Sequence, residues 1–438
     1  MLAAAMERQH LSADGLLRLI YAEFKKIPDH RTNPTIPLAD ALMAGFAVFS
    51  LKAPSLLAFD QQRRDHEHNL KAIFGMSAIP CDTQMRTILD DIDPQSLRPV
   101  FTSVFRAVQR GKSLESFVFY EGHYLLASDG TTYFNSENVH CPGCLEKHHR
   151  NGTVTYSHQM LGLAIVHPDH REVIPLGPEA IIKQDGDTKN DCECNATRRA
   201  LKHFRREHPK LPVIIVEDAL SANAPHIADL QANNARFILG IKPGSHKHLF
   251  RQLQLADEEN RTNVLTLIDD KGTLHHFRWL NNVELNESNP NVRVNVLDYW
   301  EVNAKGHVQR FTWITDFELC EDSVWMIMRG GRCRWKIENE TFNTLKNQGY
   351  QFEHNFGHGE KNLSVVFALL MMLAFLIDQT QQLCDSLFVA VWKKSGSKRR
   401  MWELVRSMFH CFRLTSMRQL LELLLGFKAV EPPIMNSS

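Results

Sequence analysis

Residues 363–377 read LSVVFALLMMLAFLI, fifteen positions without one charged side chain. A stretch like this offers water no polar face, so the rest of the chain has to cover it. It falls short of the roughly 20 apolar residues that a membrane-spanning helix needs, and the expectation is a helix buried in a soluble core. The remainder of the 438 residues fits that reading, at 43% hydrophobic and 23% charged, and the length suggests two or three domains. Fifty basic and fifty acidic residues cancel, which excludes a whole-surface nucleic-acid binder and makes any basic patch local. The opening MLAAAMERQHLSADG lacks the regions of a signal peptide. With nine cysteines, several of them isolated, reduced thiols and a cytoplasmic location are expected.

The periodicity changes along the chain. Residues 1–118 carry helix-spaced apolar positions, as in IPLADALMAGFAVFSL and PQSLRPVFTSVFRAVQRG, and read as a helical region. From 119 onward, SFVFYEGHYLLASDG, HQMLGLAIVHP and EVIPLGPEAI read as strands. ATRRALKHFRREHP reads as a helix, KLPVIIVED as a buried strand running into a helix, and RFILGIKPGS as another strand. This succession predicts an α/β sheet domain over 119–380. Residues 245–325 interrupt it with two hairpins, turning at Asp-Lys-Gly and Asn-Ala-Lys-Gly. Residues 381–438 read as a helical tail.

Two of the strand runs, YLLASDG and VIIVED, end in Asp129 and Asp218. Open α/β sheets bind ligands at the carboxyl ends of their strands, although Asp-Gly is also a turn-forming pair. Strand alternation sends Glu217 to the opposite face. A third carboxylate comes from the helix GRCRWKIENETFNTLKNQGY. At about 100° per residue, Trp335, Phe342, Leu345 and Lys346 share an inward stripe with Glu338, while Glu340 lies on the far side with Lys336 and Thr344. A carboxylate on an apolar stripe is costly unless its charge is compensated. Carboxylate oxygens suit Mg²⁺ or Mn²⁺, and two such ions about 4 Å apart suit in-line displacement at a phosphodiester.

The stretches LLASDGTTYFNS, IIVEDALSANAPHI and RWKIENETFNTLKNQGYQFEHNFGHG, in that order and with a hairpin-rich insertion before the third, resemble the DDE transposases of bacterial insertion sequences, and most of all the insertion-sequence-four family. That family's signature on the Glu helix is Tyr, two residues, Arg, three residues, Glu, six residues, Lys. Arg334 and Glu338 match it. Gly331 stands at the Tyr position and Leu345 at the Lys position, with Lys346 one residue on. The resemblance implies an RNase H-like catalytic core with a β-rich insertion, flanked by N- and C-terminal helical regions. It implies two Mg²⁺ or Mn²⁺ ions held by Asp129, Asp218 and Glu338. Arg334 and Lys346 would contact phosphates of double-stranded DNA, both the terminal inverted repeats and the target. A homodimer would join the two ends, in a bacterial, nucleoid-associated setting. The alternatives on the same fold are a domesticated DNA-binding protein without transposition and a nuclease that cuts without joining.

Other clusters stand beside these. HCPGCLEKHH offers Cys141, Cys144, His148 and His149 as candidate Zn²⁺ ligands, with Cys192 and Cys194 in DCEC; the competing reading is a surface loop with reduced thiols. His354 and His358, in FEHNFGHGEKN, read as part of a Gly-rich turn near the site and not as ligands. Three basic groups stand out: the first is either a solvated helical surface or, in keeping with an N-terminal region that binds DNA ends, a DNA-end contact; the second is either a solvated face or a DNA-backbone contact; the third is a basic cluster in the tail. They are Arg63, Arg64, Lys71 and Arg86; Arg198, Arg199, Lys202, Arg205 and Arg206; and Lys393, Lys394, Lys398, Arg399 and Arg400.

Overall fold

The structure, a computed structural model, describes residues 10–183 and 190–426. Residues 1–9 and 427–438, which belong to the opening stretch and the tail read above, lie outside it. Among the described residues the chain is mixed α/β, a 12-stranded mixed sheet with flanking helices. Its strands are β1 (Val118–Tyr120), β2 (His123–Ser136), β3 (Leu145–His148), β4 (Val154–Val166), β5 (Ile174–Pro175), β6 (Glu179–Ile181), β7 (Val213–Glu217), β8 (Arg236–Gly240), β9 (Asn263–Ile268), β10 (Leu274–Asn286), β11 (Asn289–Val302) and β12 (Val308–Thr315). Across the sheet they run β3-β4-β2-β7-β8-β12-β11-β10-β9, with β1 against β2, and β5 and β6 against β4.

The centre of the sheet is where the sequence is least polar. β7 is VIIVE, buried at all five positions and flanked by β2 and β8, both parallel to it. Strands buried on both faces read as continuous apolar runs. Parallel neighbours need a crossover, which the helix Ala224–Ala232 supplies between β7 and β8. Both expected hairpins form, as β9–β10 and β11–β12. β12 then pairs antiparallel with β8, Trp313 opposite Gly240. The insertion therefore continues the central sheet instead of standing apart from it. Inside it the fully buried Asp298 accepts hydrogen bonds from Arg278 on β10 at 2.7 Å and Arg310 on β12 at 2.6 Å, which satisfies a charge that burial would otherwise make costly.

The apolar run forms the helix Leu363–Cys384. By length and composition this helix could cross a membrane, but 94% of its apolar window is buried inside the protein. The helix Leu38–Ser50, buried at every position, lies against it. Gly45 makes the close approach: a Cβ there would stand 2.9 Å from Leu370 Cδ1 and from Leu89 Cδ1. The amino- and carboxyl-terminal helices share this layer. Asn69 donates to the carbonyls of Phe409 and Phe412, each at 2.8 Å, and accepts from Leu414 N. Gln379, buried on the long helix, accepts from Val173 N at 3.0 Å and so ties helix to sheet.

A buried ion pair pins the layer together. Lys52 Nζ lies 2.6 Å from Asp378 Oδ2 with both side chains sequestered, and Tyr350 donates to the same carboxylate. The ammonium also sits 3.9 Å from the Tyr350 ring centre and 4.1 Å from that of Trp402. Burial pulls the Lys52 ammonium below its ordinary pKa and pushes the Asp378 carboxyl above its own, each opposed by the partner's charge. Removing one partner strands the other. Lys52→Met is expected to cost about 3–5 kcal/mol of unfolding free energy, measured by urea denaturation; a loss below about 1 kcal/mol would show that the pair is not what holds these elements together.

Candidate active site

The two aspartates meet through the parallel register of β2 and β7. Tyr124 pairs with Val213 and Ala127 with Val216, so the same register carried two residues further sets Asp129 beside Asp218. The sequence expectation needs one correction. Asp129 does not end its strand, and Asp-Gly is not a turn here: β2 continues to Ser136 along β4, with Asp129 opposite Gly162 and Gly130 opposite Leu161. Asp129 lies instead where the parallel pairing stops, because β7 ends at Glu217. Glu217 faces away, as alternation requires. It is buried, accepts from Ser128 Oγ and pairs with His226 at 2.6 Å. Burial alone would raise its carboxyl, but the His226 charge together with hydrogen bonds from His226 and Ser128 holds it below the ordinary value.

The third carboxylate departs from the regular helix expected for it. After the helix Glu321–Cys333 the chain forms a π turn over Ile337–Phe342 and then a short α-helix, Asn343–Asn347. A π turn closes i→i+5 bonds and holds an extra residue, so the 100° step fails across it. Trp335 is consequently not on the inward stripe. It is 47% exposed, with the Arg334 guanidinium 4.5 Å from its ring centre. Thr344, expected on the far side, is buried, and Thr341 with it. Glu340 is not a free solvent carboxylate but pairs with Arg171 at 3.4 Å. Ile337, Phe342 and Leu345 do point inward. Glycines let this helix settle onto the sheet. A Cβ on Gly162, the residue opposite Asp129, would stand 2.8 Å from Phe342 Cζ. Gly331, at the Tyr position of the signature, has its side-chain space filled by the Trp313 indole, 2.4 Å from an added Cβ. Leu345 is fully buried, and Lys346 beside it reaches outward to Glu353 at 2.8 Å.

The carboxylates feel one another. Burial, opposed by the Arg334 guanidinium and reinforced by the charges of Asp218 and Glu338, raises the Asp129 carboxyl above its ordinary value. Arg334 Nη1 donates to Asp129 Oδ2 at 2.9 Å, so among the described residues its ion pair is with Asp129 and not with Glu338. Sequence reading missed a fourth acid. Glu193 opens the helix Glu193–Glu207, and its Oε2 lies 2.7 Å from where a Gly130 Cβ would be. Desolvation, then repulsion from Asp129, Asp218 and Glu217, pushes its carboxyl up to about 7. No sequence pattern separates this Glu from an ordinary first-turn acid. Beside Asp218 a cavity of about 460 Å³ opens between the end of β8, β12 and the Glu-bearing helix. Its walls mix the aromatic rings of Phe250, Phe311, Trp313 and Trp335 with Lys242, Arg310, Arg332 and Arg334.

Most of the remaining basic residues are committed to protein partners. Arg63 and Arg64 pair with Asp60, Lys71 with Glu67 and Arg86 with Asp82. Arg198 pairs with Asp229 and Arg199 with Glu179 and Asp191, while Arg205 caps backbone carbonyls. Lys398 is drawn inward, and burial lowers its pKa. No protein-family model matches the chain, and no curated protein matches it.

Two outcomes follow from this geometry. Gly162→Ala is expected to cost about 1–3 kcal/mol by driving Phe342 and its helix off β4, measurable as a lower urea midpoint; an unchanged midpoint would show that the contact relaxes freely. Glu193 has a folded pKa above its unfolded one, so the folded chain keeps a proton that the unfolded chain has released. Stability should therefore fall as pH rises from about 4.5 to about 7 and remain lower above that. Glu193→Gln is expected to be more stable than the parent at pH 8 and equal to it near pH 4, in buffer without added Mg²⁺ or Mn²⁺. Equal stabilities at both pH values would mean that burial and repulsion do not raise the Glu193 carboxyl.

Proposed function

We propose that the chain is a DNA transposase of the DDE type, with an RNase H-like core in which Asp129, Asp218 and Glu338 carry the chemistry. The observation that supports this most strongly is the convergence of acids. The shared register brings two aspartates together where the parallel strands part, and the charge of a glutamate from a separate helix reaches Asp129. A buried carboxyl raised above its ordinary value beside two further acids, as Asp129 is, is what a divalent-cation site looks like before the cation neutralises it. Hard oxygen donors suit Mg²⁺ or Mn²⁺. Among the described residues the three carboxylates do not converge as tightly as a single-ion cage requires, whereas two ions about 4 Å apart need ligands spread across both. When bound, such ions would activate an attacking oxygen and stabilise the leaving oxygen of a phosphodiester.

The chain's own groups supply the rest. Asp129 and Asp218 fix the spacing of the donors, because a shared register holds them. Glu338 is set by the packing of Ile337 and Phe342 over Gly162. Arg334, with its planar guanidinium against the Trp335 ring, is placed to exchange Asp129 for a phosphate oxygen when DNA arrives. The aromatic and cationic walls beside Asp218 suit a nucleic-acid strand, stacking on bases while neutralising phosphates. In this reading Lys346, held by Glu353, would have to leave that partner to contact the backbone. Cleavage by water at the element's end would free a 3′-hydroxyl, and that hydroxyl would then attack the target strand. A homodimer would hold the two ends.

The test is strand cleavage, with Mg²⁺, of DNA carrying the sequences that flank the reading frame. Asp129→Ala, Asp218→Ala and Glu338→Gln should each lower cleavage by more than about 100-fold, beyond what outer-shell changes cost, while gel-shift affinity for the same DNA stays near the parent's. Glu340→Gln should keep most activity, since its ion pair with Arg171 lies outside the group. Near-parental cleavage by any one of the first three would remove that residue from the site.

A further inference from the structure

A second cluster lies away from the carboxylates, further along the β2–β4 pair. Cys141 and Cys144 occupy the connection from β2 to β3, His158 lies on β4, and His358 comes from the segment between the Glu-bearing helix and Leu363–Cys384. All four are buried. Of the ligands expected from the sequence, only the two cysteines are present. His148 faces Glu146 at the surface and His149 bonds Thr155. Cys192 and Cys194 are exposed at the start of another helix, and His354 turns toward Phe356. The cysteines are also not in a surface loop.

The distances are those of a tetrahedron around a metal. Sγ of Cys141 and Sγ of Cys144 are 3.9 Å apart, too far for a disulfide. His158 Nε2 lies 3.3 Å from one sulfur and 3.4 Å from the other, and His358 Nε2 lies 3.3 Å from Cys144 Sγ. All four ligand atoms fall within 4.8 Å of one another. Bond lengths of about 2.3 Å to sulfur and about 2.0 Å to nitrogen place tetrahedral ligands about 3.8 Å apart for S···S and about 3.5 Å for S···N. We propose that Cys141, Cys144, His158 and His358 bind one Zn²⁺ as a closed structural site. Two thiolates and two imidazoles in a tetrahedron select Zn²⁺ among common divalent ions, and four buried protein ligands leave no open position for catalysis.

The ligand topology says what the site does. Three ligands belong to the β2–β4 hairpin, whose first strand carries Asp129. The fourth belongs to a segment with little regular structure that follows the Glu338 helix. His358 sits between Gly357 at φ +148° and Gly359 at φ +71°, backbone that L side chains rarely adopt. Just beyond, the Asp90 carboxylate accepts the backbone N–H groups of Glu360, Lys361, Asn362 and Leu363. The metal would thus clasp the loop to the sheet at one point while Asp90 holds it at the next. Both imidazole Nδ1 atoms are buried without a protein acceptor, so the rings are oriented by packing against Tyr133 and Phe134.

Full-length protein prepared without chelator is expected to contain about one zinc per chain by elemental analysis, and its Tm should fall on chelation and recover when Zn²⁺ is returned. Cys144→Ser and His358→Ala should each hold less than about a tenth of that zinc. Should these variants fail to fold, the parent reconstituted with Co²⁺ should show thiolate-to-cobalt absorption with tetrahedral band intensities. Folded parent protein without zinc and without that absorption overturns the site, as does His358→Ala with full stoichiometry. None of these measurements involves DNA, so their failure leaves the carboxylate reading untouched, and failed cleavage leaves this one untouched.

Discussion

The parallel pairing of β2 with β7 is the constraint on which the site depends. One offset of 89 residues sets Ala127 beside Val216 and Ser128 beside Glu217, and the next step brings Asp129 to Asp218. A register slip of one residue would turn every side chain of a strand to the other face. It would bury Asp129 among the apolar groups and present Glu217 without His226. The pairing is hard to slip because Ser128 donates to the buried Glu217, which pairs with His226, and a slip would break both contacts. The geometry of the acids thus follows from the pairing of these two strands, and the acids themselves oppose it: burial and repulsion from neighbouring acids push Asp129 and Glu193 toward their protonated forms. Folding tolerates that cost because the strands beneath are so firmly specified.

The helix that brings the third acid is held by steric fit. Gly330, Gly331 and Gly162 each accept a neighbouring side chain where a Cβ would sit, and the π turn between them lets Ile337, Thr341, Phe342 and Leu345 all face the core. Its far end is secured electrostatically, through Tyr350 to the buried Asp378–Lys52 pair. With Trp402 against its ammonium, that pair joins the amino-terminal helices, the long apolar helix and the carboxyl-terminal helices, and Gln379 on the long helix reaches the sheet side at Val173. A single apolar cluster runs through all of them.

How much of this is legible in the sequence depends on the range of the interaction. The apolar stretch at 363–377, the strand VIIVE and the hairpins at Asp-Lys-Gly and Asn-Ala-Lys-Gly are local patterns, and the structure contains each of them. The phase of the helix after Arg334 was not legible, because a π turn is set by what lies beneath it: Phe342 seats on Gly162, some 180 residues away in the chain. Glu193 escaped because its chemistry comes from three distant acids and nothing marks it locally. The histidines beside the Cys141 and Cys144 sulfurs are His158 and His358, not the sequence neighbours His148 and His149. A strand running outward puts those two at the surface, while the neighbouring antiparallel strand returns His158 to the sulfurs.

The two clusters share a logic that ties them to one mechanical problem. Asp129 and Glu338 are more than 200 residues apart, and the elements that carry them meet through Arg334 on Asp129, through packing across Gly330 and Gly162, and through whatever holds residues 348–362. That segment has left-handed backbone at Gly349 and Gln351 as well as at Gly357 and Gly359, so its own conformational preferences do little to fix its path. Fixing it takes contacts of high specificity. The structure concentrates them there: Tyr350 on Asp378, the Asp90 carboxylate on four successive amides, and His358 against the sulfurs on the hairpin that extends from Asp129. Each contact joins the segment to a different element. A site whose donors must stay within a few tenths of an ångström of their working geometry requires such support where the intervening chain has no regular structure of its own.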